Sequence, residues 1–209
     1  MKPSFCLVLI YDNVYYNRYP FMKEHLRRKI KNIRLQISEK EVLRKSHEIK
    51  KKLFSLREFK RASSILFYVS YNNEVCTHDM IRECLSSEKS IVVPLISRKN
   101  KKMFLSKLNS WDELEPGEYS ILQPCREYVS EVSVNDVDII IVPGIVFDEK
   151  GHRIGHGLGY YDRLLSDSKN ALHIGLAFEF QIVDRIPVEK HDVAVDKIVT
   201  EKRVIHCSP

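Results

Sequence analysis

The sequence predicts an α/β protein with a mostly parallel sheet covered by helices on both faces, in three layers. Three observations predict it. Short, mostly apolar runs recur at residues 64–69 (SILFYV), 90–94 (SIVVP) and 137–142 (VDIIIV), as in strands buried on both faces. Stretches of helical periodicity precede and separate them. A run of alternating glycines follows the third strand and leads directly into a helix. In open α/β sheets, ligands bind at such a place, beyond the carboxyl ends of the strands.

The elements follow in order. A helix is expected over residues 23–37, where Leu26, Ile30, Ile33 and Ile37 share one face. Ser38 with Glu41 makes a capping-box pattern for a second helix, which turns Val42, Ile49 and Leu53 inward and ends near Leu56. Both helices are strongly basic outside, as a solvated face commonly is. After the strand at 64–69, Thr77 can cap a helix running to about Leu85. The strand at 90–94 is followed by a turn at 99–102 (KNKK) and a more exposed strand at 103–108. Residues 110–130 are loop-rich, with a turn at Pro116-Gly117. Beyond the strand at 137–142 come the glycine-bearing loop, a helix from Tyr160, and late strands at 172–177 and 197–200. No repeat, low-complexity tract or flexible linker divides the chain. Residues 23–209 therefore read as one domain and residues 1–22 as an N-terminal extension of unknown role.

Composition narrows the class. The 209 residues are 44% apolar and 30% charged, which fits a soluble globular chain and excludes a disordered one. A net charge of +6 favours anionic partners: nucleotides, phosphorylated or polyglutamated small molecules, or nucleic acid. The five cysteines form no C-x-x-C pair, so neither a zinc site nor a disulfide framework is expected, and a reducing, cytoplasmic location is. The apolar run at residues 5–11 is too short to cross a bilayer and lacks a small-residue cleavage site after it. No membrane association is expected.

The chemistry concentrates in residues 143–165, PGIVFDEKGHRIGHGLGYYDRLL. Gly155, Gly157 and Gly159 let backbone amides approach an anion, and the helix that follows adds free N–H groups; a plain tight turn would use the same glycines. The spacing is neither that of a P-loop nor that of a dinucleotide fingerprint. Arg153 can pair with phosphate oxygens. Asp162, in the first turn of the helix, can hold Mg²⁺ beside a phosphate or simply favour the helix dipole. Tyr160 and Tyr161 can stack on a flat heterocycle or pack in the wall. Lys23 and Arg27, four residues apart, share a helix face and can clamp a triphosphate or remain surface charge. Glu74, after the strand at 64–69, can accept from an amino-pyrimidine ring or start a helix. Asp192, in the loop PVEKHD, is a second metal ligand or a turn former. His152 and His156 mimic a metal pair, but Gly155 argues against a helix between them. Nothing resembles G-x-S-x-G, and no cysteine sits in a nucleophile motif.

These motifs resemble the signature of the 5-formyltetrahydrofolate cyclo-ligase family, also called methenyltetrahydrofolate synthetase. That signature reads approximately PG-aromatic-D-x-x-G-x-R-[LI]-G-x-G-x-G-Y-Y-D, and residues 143–162 resemble it, with Ile145 and Val146 standing before the aromatic Phe147. The resemblance runs from Lys23 to Glu201. It takes in the K-x-x-x-R of Lys23 and Arg27, the strand-then-acid element FYVSYNNEV with Val69 and Glu74, and Gly117, Ile121 and Pro124. The late PVEKHD and the Asp-x-Ile-Val-Thr at residues 196–200 complete it. Members often carry Lys or Gly where Leu158 stands, and Arg, Tyr or Phe where His156 stands. The resemblance implies a fold of the sugar-isomerase and CoA-transferase type. It implies ATP as co-substrate, held by Lys23, Arg27 and the segment from Arg153 through Gly155, His156, Gly157 and Gly159 to Tyr160 and Tyr161. It implies Mg²⁺ on Asp162 and Asp192, and a reduced folate near Val69, Glu74, His156 and Tyr160. The implied reaction makes 5,10-methenyltetrahydrofolate, ADP and phosphate from 5-formyltetrahydrofolate and ATP, with Arg153 and Asp162 acting on the phosphoryl group. A related ligase for another formylated pterin is the alternative. The expected partners are small molecules, without nucleic acid, and the expected state is a monomer.

Overall fold

The computed structural model describes residues 19–97, 102–117 and 121–208. Most of the expected N-terminal extension and the 99–101 part of the expected KNKK turn lie outside these residues. Helix α1 spans Tyr19–Gln36. Its apolar stripe faces inward as the periodicity predicts: Ile30 is buried and Leu26 and Ile33 pack beside it. Helix α2 spans Glu39–Ser55, capped by the Ser38 hydroxyl, which accepts from the Glu41 amide, and it buries Val42, Ile49 and Leu53. A short α3, Arg57–Arg61, adds Phe59.

Strand β1 (Ser64–Leu66), helix α4 (His78–Leu85) and strand β2 (Ser90–Ser97) follow. Residues 67–69 leave the ladder after one more bond, from the Phe67 amide to the Val92 carbonyl, yet stay buried. Thr77 precedes α4 without capping it. Its hydroxyl instead donates to the Tyr68 carbonyl at 2.7 Å and accepts from the Ser70 amide at 3.1 Å. Strand β3 (Lys102–Leu108) returns antiparallel along β2. The segment expected to be loop contains a hairpin, β4 (Leu114–Pro116) with β5 (Leu122–Pro124). Strand β6 is Ile139–Val142, β7 Val146–Asp148, β8 Arg153–Ile154, and α5 Tyr160–Asp167. Strands β9 (Leu172–Leu176), β10 (Ile182–Val183), β11 (Lys197–Val199) and β12 (Val204–His206) complete the described chain.

The main sheet has the order β12-β11-β9-β6-β1-β2-β3, parallel except at its two edge strands. Successive side chains on a strand point to opposite faces, so buried strands feed two cores. Ile65, Ile91, Ile139 and Ile141 pack with α2, α3 and α4. Leu66, Val92, Ile140 and Val142 pack with Leu164 and Leu165 of α5. These are the expected three layers. The chain moves outward from β1 to β2 and β3, then returns to the other side of β1 as β6. The loops leaving β1 and β6 therefore part and open a crevice.

A second sheet, β10-β7-β8, rests on the first. Phe147 on β7 is the wedge between them. A Cβ at Gly144 would stand 2.4 Å from its ring, and one at Gly175 would stand 2.7 Å away. Both positions therefore need glycine for close approach. Gly175→Ala is expected to cost about 1–3 kcal/mol through overpacking, seen as a lower urea midpoint at unchanged slope. An unchanged midpoint would mean that the ring yields without cost.

Candidate active site

A cleft of about 740 Å³ opens at this crevice. Every residue that the family resemblance assigned to nucleotide, folate or metal lines it, from Lys23 and Arg27 through Val69 and Glu74 to the segment 153–162 and Asp192. No helix among the described residues is long and apolar enough to cross a membrane.

One end is built around Arg153. Strand β8 places its side chain almost wholly inside the protein, 3% exposed. The guanidinium donates to Asp162 Oδ1 at 3.0 Å and to the Val193 carbonyl at 3.0 Å. Asp162 Oδ1 also accepts from the Val193 amide at 3.4 Å. A buried cation needs such a partner, and the pair closes the base of the glycine loop. Within the loop, Gly157 and Gly159 have φ of 93° and 64°, a conformation that glycine adopts without strain. Gly159 caps α5 in this conformation. A Cβ at Gly155 would meet nothing within 4 Å, so that backbone is open to close approach. Arg27 Nε donates to the Gly155 carbonyl at 2.9 Å. Tyr160 stands half-buried beside the Arg163 guanidinium, 5.2 Å from its ring centre. Lys23 Nζ is 2.6 Å from both Glu189 and Asp192. Burial works against its charge, but the hydrogen bonds it donates to Asp192 and Glu189 prevail and hold its pKa above the ordinary lysine value.

The other end is built around Glu74. Its Oε2 accepts from the Tyr71 amide at 3.1 Å. Its Oε1 lies 3.7 Å from His156 Nε2 and 4.0 Å from Arg34 Nη2. Arg34 is buried and donates through Nε to the Asn73 carbonyl at 3.1 Å. The Asn73 amide donates back to the Arg34 and Ile37 carbonyls at the end of α1. The loop carrying Glu74 is thus locked to α1 by residues that the sequence analysis did not select. Pro94, Ile96, Met103 and Ile121 form an apolar wall of the cleft. Ile121 belongs to an expected motif, whereas the wall as a whole arises only when β2, β3 and the β4–β5 hairpin meet. Tyr161 packs against both cores. Its phenol is buried, which pushes its pKa up, with the charge of Glu74 adding and that of Arg153 opposing.

Comparison with known proteins decides the family of the chain. The model of the 5-formyltetrahydrofolate cyclo-ligase family matches residues 21–201. The chain belongs to the 5-formyltetrahydrofolate cyclo-ligase family. A mouse 5-formyltetrahydrofolate cyclo-ligase is 30% identical, with 86% of this chain and 93% of that protein covered. A probable 5-formyltetrahydrofolate cyclo-ligase of Caenorhabditis elegans is 28% identical, covering 88% and 95%. The NMR structure of Aquifex aeolicus 5,10-methenyltetrahydrofolate synthetase superposes with a TM-score of 0.80 at 36% identity, over 90% of this chain and 94% of that one.

As a cyclo-ligase of folate metabolism, the chain has a donor set that suits a hard divalent cation. Glu189, His191 and Asp192 bring ligand atoms within 4.8 Å of one another, and Asp162 lines the same cleft. Carboxylate oxygens are the ligands Mg²⁺ prefers. Asp192 was selected from the sequence; Glu189 and His191 were not. His152 turns to Asp148, 3.1 Å away, while His156 turns to Glu74, so the histidine pair does not converge. The Arg153–Asp162 pair yields a direct prediction. Asp162→Ala leaves a buried cation unpaired and is expected to cost about 3 kcal/mol of stability. In a double-mutant cycle with Arg153→Met, the coupling should be about 1–3 kcal/mol. Additive losses would show that the two side chains stabilise the loop independently.

Proposed function

We propose that this chain uses Mg-ATP to phosphorylate the formyl oxygen of 5-formyltetrahydrofolate and so releases 5,10-methenyltetrahydrofolate, ADP and phosphate. One observation carries the reading: the glycine loop with its cations and the Glu74 loop face one another across a single cleft. The apolar wall suits the flat, weakly polar rings of a folate, and Glu74 suits the N–H donors of an amino-pyrimidine. Lys23, Arg27 and the open amide edge at Gly155 suit phosphates. The described cysteines are unpaired, which suits a reducing compartment, and we place the reaction in the cytoplasm.

A formamide oxygen leaves poorly. Transfer of the γ-phosphoryl group breaks its bond to ADP and forms a bond to the formyl oxygen. The amine at position 10 then attacks the formyl carbon. The C–O bond breaks with its electron pair passing to phosphate, and the amine proton leaves to water. No protein nucleophile is needed. The protein's task is to align two substrates and neutralise charge. Lys23 and Arg27 draw the phosphates to the glycine loop. Arg153, held by Asp162, keeps that loop in shape and adds positive potential beneath it. Asp192 and Glu189, with Asp162, would hold Mg²⁺, which when bound offsets phosphate charge.

The two ends of the cleft should separate kinetically. Lys23→Met is expected to raise KM for ATP by roughly 10- to 100-fold, as for a lost charge-assisted contact, with KM for the formylfolate little changed. Glu74→Gln should do the reverse. The wild-type chain should develop the ultraviolet band of the methenyl product only when ATP is present. A band without ATP, or both variants acting on the same substrate's KM, would refute the proposal.

A further inference from the structure

Tyr161 is the second residue of α5 and lines the cleft. Its hydroxyl oxygen is buried, and among the described residues it is the one buried side-chain polar atom without a hydrogen-bond partner. Tyr68, a buried tyrosine on the same cleft, donates to the Val75 carbonyl at 2.9 Å. An orphaned hydroxyl costs the fold about 1–3 kcal/mol. Native proteins leave few such groups, and a catalytic role is one of the reasons for which they are kept. Tyr161 directly precedes Asp162, the partner of Arg153 at the phosphate end, and its ring packs in the cluster of Tyr68 and Val69, which line the cleft beside Glu74 at the folate end. Tyr161 therefore stands at the join of the two halves. Its ring is fixed by packing against both cores.

Only one substrate atom belongs to both halves: the oxygen that begins on the formyl carbon and departs on phosphate. We propose that the Tyr161 hydroxyl donates a hydrogen bond to this oxygen. The inference rests on the function proposed above. In the first step that oxygen gains its bond to phosphorus as the bond to ADP breaks. In the second it takes the electron pair of the breaking C–O bond. Negative charge grows on it in this second step, so a fixed donor contributes most there. A phenol suits the task, since it is a donor that keeps its proton at neutral pH.

Tyr161→Phe tests this, because it removes one oxygen and leaves the packing. The ligand-free variant should melt at the wild-type temperature or above it, since no partner is left unpaired. Its kcat should fall on the order of 100-fold, with KM for ATP unchanged. In a single turnover, ADP should form ahead of the methenyl product, whereas the two should appear closer together in the wild type. A kcat within about twofold of wild type would overturn the proposal. So would a lower melting temperature accompanying the lower kcat, because the hydroxyl would then be holding the fold. A wild-type chain that makes no methenyl product would instead sink the function on which the inference rests.

Discussion

A buried guanidinium tolerates no loose arrangement around it, and Arg153 imposes its demands on three parts of the chain. It bonds Asp162 in the first turn of α5 and the Val193 carbonyl, while its own strand is paired in the small sheet. Losing either partner would leave charge in a poorly solvated site. The segment between Arg153 and Asp162 is therefore pinned at both ends. Its glycines adopt left-handed backbone at Gly157 and Gly159, and the turn ends in a helix N-terminus facing the cleft. Phe147, wedged against Gly144 and Gly175, seats the small sheet that carries Arg153.

The first helix makes the two ends of the cleft into one site. Lys23, Arg27, Ile30 and Arg34 follow one another at helical spacing. Ile30 docks the helix on the small sheet. Lys23 and Arg27 reach the late acidic loop and the glycine loop, and Arg34 reaches the loop of Glu74. One rigid element thus sets the distance between the cations expected to meet phosphate and the acid expected to meet the pterin. The topology makes this possible, because β1 and β6 send their loops apart at the same edge of the sheet.

What could be read without coordinates was what is local. Buried strands announced themselves as apolar runs, α1 and α2 as stripes, and the glycine loop as a contiguous motif. Arg34 was hidden for a physical reason: on a basic helix a cation looks solvated, and only the fold buries it against Asn73 and Glu74. Glu189 and His191 join Asp192 in a tight turn, closed by the Glu189 amide donating to the Asp192 carboxylate and the Asp192 amide donating to the Glu189 carbonyl, and only the fold brings that turn to the cleft. Strands β8 and β10, two residues each, are too short to leave a period in sequence. Thr77 misled for another reason, since its hydroxyl serves the turn after β1 in preference to the helix it precedes.

The central claim is chemical: the formyl oxygen leaves as part of the phosphate. Turnover of 5-formyltetrahydrofolate carrying ¹⁸O in the formyl group, followed by mass analysis of the released inorganic phosphate, tests it most directly. The account predicts one ¹⁸O atom in each phosphate formed. Unlabelled phosphate, with the isotope released into water, would contradict it.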